Sequence, residues 1–270
     1  MKRVAMNGWK IYFVMLCMLL HLQTVAQGDF CAIKNISFQQ GEKLVFKVYY
    51  NMGRIWVGAG EAVFTVNATR INGRNAFHVV GDGKTYKSYD WFYRVRDRYE
   101  TYMDMETMLP LKFVRNVDEG GFKIYNSVTF DQNNNRAVST NGVYHVPKCV
   151  QDVLSSIYYA RNIDYNKYQP GAKIPFSMFL DDQVYHLYIR YLGKEKITTR
   201  YGTFNTIKIR PLLIEGTIFK GGEKMTVWVS DDDNHVPVRV NSPILVGSIK
   251  VDLIGYEYLR NPFAALIRKK

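Results

Sequence analysis

The chain has 270 residues, 47% of them hydrophobic and 22% charged, with 20 Gly, 8 Pro and a formal net charge of +12. That balance excludes a disordered or collagen-like chain and leaves enough apolar residues for a sizeable core. Basic residues are mostly scattered singly through strand-like segments, without the dense block that would point to nucleic acid.

Lys2, Arg3 and Lys10 precede an apolar run at 11–20, and Thr24-Val25-Ala26 ends on a small residue. A basic start, about ten apolar residues and a small residue at the cut describe a secretory signal peptide, too short to span a bilayer of roughly 30 Å. Residues 1–26 are therefore expected to be removed, leaving 27–270 as one mainly-β domain. Removal takes three basic residues and no acidic one, so the net charge falls to +9 (12 − 3). An exported basic chain rarely meets nucleic acid; anionic lipid or envelope glycolipid suits its charge better.

Export leaves two cysteines, Cys31 and Cys149. In an oxidising compartment they suggest one disulfide, closing a long loop, with two separate buried thiols as the alternative. No Cys or His spacing makes a zinc pattern.

From residue 44 onward the dominant period is two. Leu44, Phe46, Val48 and Tyr50 share a face, and Ala62, Phe64 and Val66 repeat it after a break at Gly58-Ala59-Gly60. Asn72-Gly73 supplies a hairpin turn before a strand at 76–81. Further strands are expected at 91–102, 111–116, 122–130 and 136–139, punctuated by Glu119-Gly120-Gly121 and Asn133-Asn134-Asn135. The second half continues with strands at 173–180, 184–192, 194–200, 203–209, 223–230, 236–241 and 244–254, and with turns at Asp181-Asp182, Gly193, Gly202 and 231–234. So many short strands predict a large curved antiparallel sheet or partly open barrel rather than a parallel α/β fold.

One segment, 149–162, breaks this period. Val150, Val153, Leu154, Ile157 and Tyr158 recur at helical spacing, with Asp152 and Arg161 placed to suit the helix dipole. The expected packing partner is the concave face of the sheet.

Few residues point to chemistry. Asp97 shares a strand face with Trp91, Tyr93, Val95 and Tyr99, either as a polar group in a pocket or as a buried carboxylate paired with a neighbouring Arg or Tyr. Asp231-Asp232-Asp233-Asn234 lacks the glycine and distal glutamate of a calcium loop and reads as an acidic turn. His78, His145, His186 and His235 form no metal-ligating pair, and Ser155-Ser156 lacks a nucleophile elbow. No cofactor, metal site or catalytic residue is expected, and the chain is read as a non-enzyme.

Several segments carry a family resemblance. Gly41-Glu42-Lys-Leu44, the 57–62 segment, 152–161 from Asp152 to Arg161, Tyr201-Gly202-Thr-Phe204, the Val227 to Asp232 run, Val236-Pro237-Val-Arg239 and Val246-Gly247-Ser248-Ile249 resemble the exported bacterial family catalogued as domain of unknown function 3108. The likeness spans about 36–258 and implies a β protein of the periplasm or cell envelope of a Gram-negative bacterium, with no assigned activity. A looser analogy is the half-barrel of periplasmic lipoprotein carriers, in which a curved sheet wraps a helix around an acyl-chain cavity. The resulting expectation is a protein that binds a hydrophobic or amphipathic envelope component in the concavity of its sheet, with Trp56, Trp91, Tyr93, Asp97 and Trp228 as candidate lining, the four aromatic residues having ordinary core as their alternative role. The alternative is an envelope scaffold that engages protein partners through sheet edges. An enzyme acting on glycans or lipids is the weaker third reading.

Overall fold

The computed structural model describes residues 31, 33–52, 55–214, 221–244 and 246–269; the expected signal peptide at 1–26 lies outside them. Fifteen strands make one antiparallel sheet: β1 (Lys43–Met52), β2 (Ile55–Ile71), β3 (Arg74–Thr85), β4 (Val95–Asp104), β5 (Pro110–Glu119), β6 (Phe122–Asp131), β7 (Arg136–Ser139), β8 (Gly142–His145), β9 (Lys173–Leu180), β10 (Gln183–Thr198), β11 (Gly202–Pro211), β12 (Thr226–Ser230), β13 (Pro237–Pro243), β14 (Ser248–Glu257) and β15 (Leu266–Lys269). A short helix, α1 (Val153–Ala160), interrupts them.

Spatial order runs β8-β7-β6-β5-β4-β3-β2-β1-β14-β13-β12-β11-β10-β9, with β15 added to β11. The chain starts mid-sheet, meanders to one edge, crosses through 146–172 to the opposite edge and meanders back until β14 pairs with β1. Strand twist curls so wide a sheet, and β9 shows how far. Its Ile174 and Phe176 join the core around Leu154, Tyr158 and Tyr159 of α1, with Met103 of β4 and Ile189 and Ile207 opposite. Its Phe179 packs instead with Phe113, Phe130 and Val146. The β9 edge is thus tucked beneath β5–β7, and the sheet overlaps like a scroll without closing. Gln151 bridges to Met178 along that edge.

Several expected boundaries change for identifiable reasons. The break at Gly58-Ala59-Gly60 is a bulge inside β2: Val48 pairs with Gly60 and Tyr49 with Gly58, leaving Ala59 unmatched. A Cβ on Gly60 would lie 2.4 Å from the Lys84 carbonyl oxygen, so only glycine allows the approach. Gly193 is likewise a bulge within β10 rather than a turn between two strands. The strand expected from 91 begins at Val95, because successive tight turns fold residues 86–93, with Tyr89 N donating to Tyr86 O and Tyr93 N to Tyr89 O. The strand expected from 244 begins at Ser248, and that from 223 at Thr226.

The helix expected over 149–162 is only two turns long. Asp152 ends it as N-cap, accepting from Ser155 N at 2.8 Å while Ser155 Oγ accepts from Asp152 N at 2.8 Å. The carboxylate also accepts from Thr101 Oγ1 of β4 at 2.6 Å, and its burial pushes it up to about 7. Cys149 lies outside the helix at φ 59° and forms a disulfide with Cys31.

Arg161 serves the core rather than the helix dipole. It is 2% exposed and forks onto Glu42, 0% exposed, at 2.6 and 2.8 Å. It also donates to Asn234 O and Ser37 O and lies between the rings of Phe38 and Tyr158. One guanidinium therefore joins the N-terminal segment, the helix end and the β12–β13 turn.

Breaking one half of a buried pair strands a charge. Arg161→Met is expected to cost about 3–5 kcal/mol in urea unfolding, and the double variant Glu42→Leu/Arg161→Met distinctly less. Closing a loop of roughly 100 residues is worth on the order of 4 kcal/mol by the chain-entropy model, so reduction with dithiothreitol should lower the Tm markedly. An unchanged Tm would show that the covalent tie contributes little.

Candidate functional site

In an antiparallel meander alternate connections fall at one end. The β1–β2, β3–β4, β5–β6, β9–β10 and β13–β14 connections share such an end, and large apolar side chains are exposed there. Trp91 is 83% exposed, Val246 73% and Ile55 67%, and Phe92, Tyr93 and Phe122 are exposed with them. Ring contacts tie Tyr50, Tyr89, Phe92 and Trp91 into one cluster at this end. Tyr50 of β1 packs on Phe92 and Tyr89, its hydroxyl donates to Val246 O at 3.1 Å, and Trp91 meets Phe92. Tyr93 lies against Gly120 in the β5–β6 turn, where a Cβ would stand 2.6 Å from its ring; φ of +61° also favours glycine there.

The β3–β4 turn that presents Trp91 and Phe92 is pinned from behind. Asp90 accepts from Arg96 at 2.6 and 3.1 Å and from Thr85 Oγ1, and both partners hold its carboxyl below the usual range.

A polar layer lies on the inner face behind the rim. Register places Asp97 beside Val117 and Val95 beside Glu119, so the two acids are diagonal neighbours and share a hydrogen bond. Burial, and then the charge of Glu119, push Asp97 up to about 7. Its Oδ1 is buried without a hydrogen-bond partner among the described residues, as are Arg115 Nε and Asn126 Oδ1 one row deeper. Arg115 pairs with Asp181 of the β9–β10 turn, and Tyr99 beside it is pushed up to about 12, chiefly by burial. This layer can hold a proton near neutrality and offers a donor and acceptors to a polar group.

The five candidate residues do not converge. Tyr93 and Asp97 stand at the rim and just inside it, and Trp91 projects from the turn into solvent. Trp56 lies on the outer face, with Lys250 Nζ 4.6 Å from its ring centroid. Trp228 is also outside, donating to Glu195 beneath Lys208. The concavity expected to hold a ligand is occupied by α1 and its aromatic neighbours. Glu119, assigned only to a turn by the two glycines that follow it, is the partner that the sequence did not reveal, because the register that sets it beside Val95 has no local signal.

Two acids of the run at 231–233, Asp231 and Asp232, are structural. Asp232 accepts from Ser230 Oγ, Asn234 N and Ala265 N, and Asp231 pairs with Lys194. Among the described residues no group of three His, Cys, Asp or Glu is arranged to hold a metal. A cleft of about 200 Å³ near the disulfide, lined by Arg74, Leu109, Leu111, Gln132 and Lys148, is smaller than the roughly 300–1,000 Å³ of small-molecule pockets.

The sequence profile described as "Protein of unknown function (DUF3108)" matches residues 45–254. No curated protein matches the chain. Among solved structures, the beta-barrel-like protein of domain of unknown function DUF1849 from Brucella abortus aligns with TM-score 0.56 at 9% identity, over 82% of this chain and 99% of that one. A candidate lipoprotein from Parabacteroides distasonis aligns with TM-score 0.38 at 13% identity, over 83% and 100%. The DUF1849 likeness supports the barrel-like fold and nothing finer.

Asp97 binds its proton more tightly folded than unfolded, so it lowers stability as pH rises from about 4 towards its folded value near 7. Asp97→Asn keeps a donor facing Glu119 and removes that penalty. The variant should gain Tm over the parent at pH 8 and little at pH 4; an equal difference at both would refute the shared proton.

Proposed function

The chain belongs to the family described as protein of unknown function DUF3108, and we propose that it is an exported envelope protein that engages a lipid or other amphipathic envelope component at the aromatic rim of its scrolled sheet. The observation that carries this reading is the rim. Four connections bring Trp91, Phe92, Tyr93, Ile55, Phe122 and Val246 to one end and leave them facing solvent. Scattered exposed apolar residues need no explanation, but an aromatic cluster with further exposed apolar residues gathered at the same end marks an interaction surface.

Bilayer chemistry fits its composition. Trp and Tyr combine an apolar body with a polar tip and concentrate at membrane–water interfaces. Full burial of a large apolar side chain contributes roughly 1.5–3 kcal/mol, so partial insertion of three or four supplies several kcal/mol. With α1 filling the concavity, the site lies at the mouth instead of inside. Asp97 and Glu119 behind the rim then offer hydrogen bonds to a polar headgroup, with no turnover assigned to them.

Export is supported by the N-terminal pattern and by the Cys31–Cys149 disulfide, a bond that persists in oxidising compartments. The scaffold alternative has less behind it. Strand addition needs a long free edge, whereas β8 has four residues and the β9 edge meets Gln151.

The mature protein is expected to sediment with phosphatidylcholine vesicles and to show a blue-shifted tryptophan emission. The double variant Trp91→Ser/Phe92→Ser should lose most of that binding while keeping its Tm. Vesicle binding that survives loss of both side chains would remove the rim from the reading.

A further inference from the structure

Most charges on the outer face around β1 and β14 are paired. Arg239 forks onto Asp252 at 2.6 and 2.8 Å, Lys208 meets Glu195 at 3.1 Å, and Lys84 takes Glu61 at 3.8 Å. Lys47, Lys250 and Arg200 have no ion pair among the described residues. All three instead crowd one ring: their cationic groups stand 5.7, 5.1 and 5.3 Å from the centroid of Tyr49. Tyr49 is 3% exposed although it sits on the outside of the sheet.

A ring has two faces, so cation–π attraction cannot satisfy three cations at once, and each remaining pair repels. The carboxylates nearest in register are already engaged: Asp252 faces Arg239, and Glu61, opposite Lys47, turns to Lys84. Burial, with Arg239 and Arg200 nearby, draws the Lys250 ammonium below its usual range against the pull of Asp252.

We propose that Lys47, Lys250 and Arg200 around Tyr49 form a binding site for the phosphate of an anionic phospholipid headgroup. A lipid is the source, rather than a free anion, because the site is continuous with the rim. Lys250 also lies 4.6 Å from the ring centroid of Trp56, beside exposed Ile55 and Val57. A headgroup held here would place its acyl chains among those side chains. The inference rests on the amphiphile reading and specifies the charge that the amphiphile carries.

The test uses the mature, disulfide-bonded protein, vesicles of phosphatidylcholine alone, and vesicles of phosphatidylcholine mixed with phosphatidylglycerol. Preference for the anionic vesicles is expected, with Lys250→Gln and Arg200→Gln each reducing it about fivefold, the effect of one basic residue near a charged surface. Lys208→Gln, which removes an equal charge from a paired site, should have a clearly smaller effect. Equal loss in all three variants would mean diffuse attraction and overturn the site. Binding to both vesicle types without preference would overturn the inference while leaving the amphiphile reading intact, whereas binding to neither would overturn both. Saturable binding of inorganic phosphate that Lys250→Gln abolishes, without vesicle preference, would identify a free-anion site and reject the lipid source. Unchanged Tm and circular dichroism confirm that each variant is folded.

Discussion

The buried Arg161–Glu42 pair is the constraint on which the rest of the architecture depends. Two charges withdrawn from water are tolerable only when every donor and acceptor is met. Arg161 meets this condition by donating to Glu42, Ser37 O and Asn234 O, while its own carbonyl accepts from Ser37 Oγ and faces the His235 ring at 2.6 Å. Those partners come from the N-terminal segment and the β12–β13 turn. The pair therefore specifies where the crossover lands, and with it how the two halves of the sheet face each other.

The scroll follows from that placement. With α1 held inside, Tyr158 and Tyr159 fill the space that a ligand-carrying half-barrel would leave open, and apolar residues of β3, β4 and β9–β11 close around them. A filled interior moves any exposed apolar surface to the ends. One end is tied by the disulfide and Asn234, whose amide donates to Asn261 O and Pro262 O at 3.1 Å. At the other end the connections carry aromatic side chains with no covering segment among the described residues.

Charge is organised as deliberately as apolar surface. On the outer face several cations meet a carboxylate of a neighbouring strand, as Arg239 does Asp252 and Lys84 does Glu61, whereas the three around Tyr49 have no ion pair among the described residues. On the inner face the carboxylates of Asp97 and Glu119 come together, and burial favours the protonated form of Asp97. An unpaired cationic group outside the rim and a proton-sharing acid pair just inside it bracket the aromatic cluster. That arrangement suits a ligand with a polar head and an apolar body.

Much of this was legible from local pattern. Alternation along a strand reports which side chains share a face, and turn residues such as Asn72-Gly73 and Asp181-Asp182 mark where strands reverse, because both are properties of adjacent residues. The strand content, the helix near mid-chain, the Cys31–Cys149 pair and the family likeness all followed from such signals. Glu42 and Arg161 were visible as parts of motifs, but nothing local says that residues 119 positions apart make an ion pair. Gly58 and Gly193 looked like breaks because a glycine in a strand has the same local signature whether the strand ends or bulges. Trp91 looked inward by counting alternate residues from Val95, yet the turns at 86–93 suspend that alternation. Which end is exposed, that the cavity is filled, and that three cations share one tyrosine depend on cross-strand register and on the curl of the sheet. Those are long-range properties, decided only when the edges meet around α1.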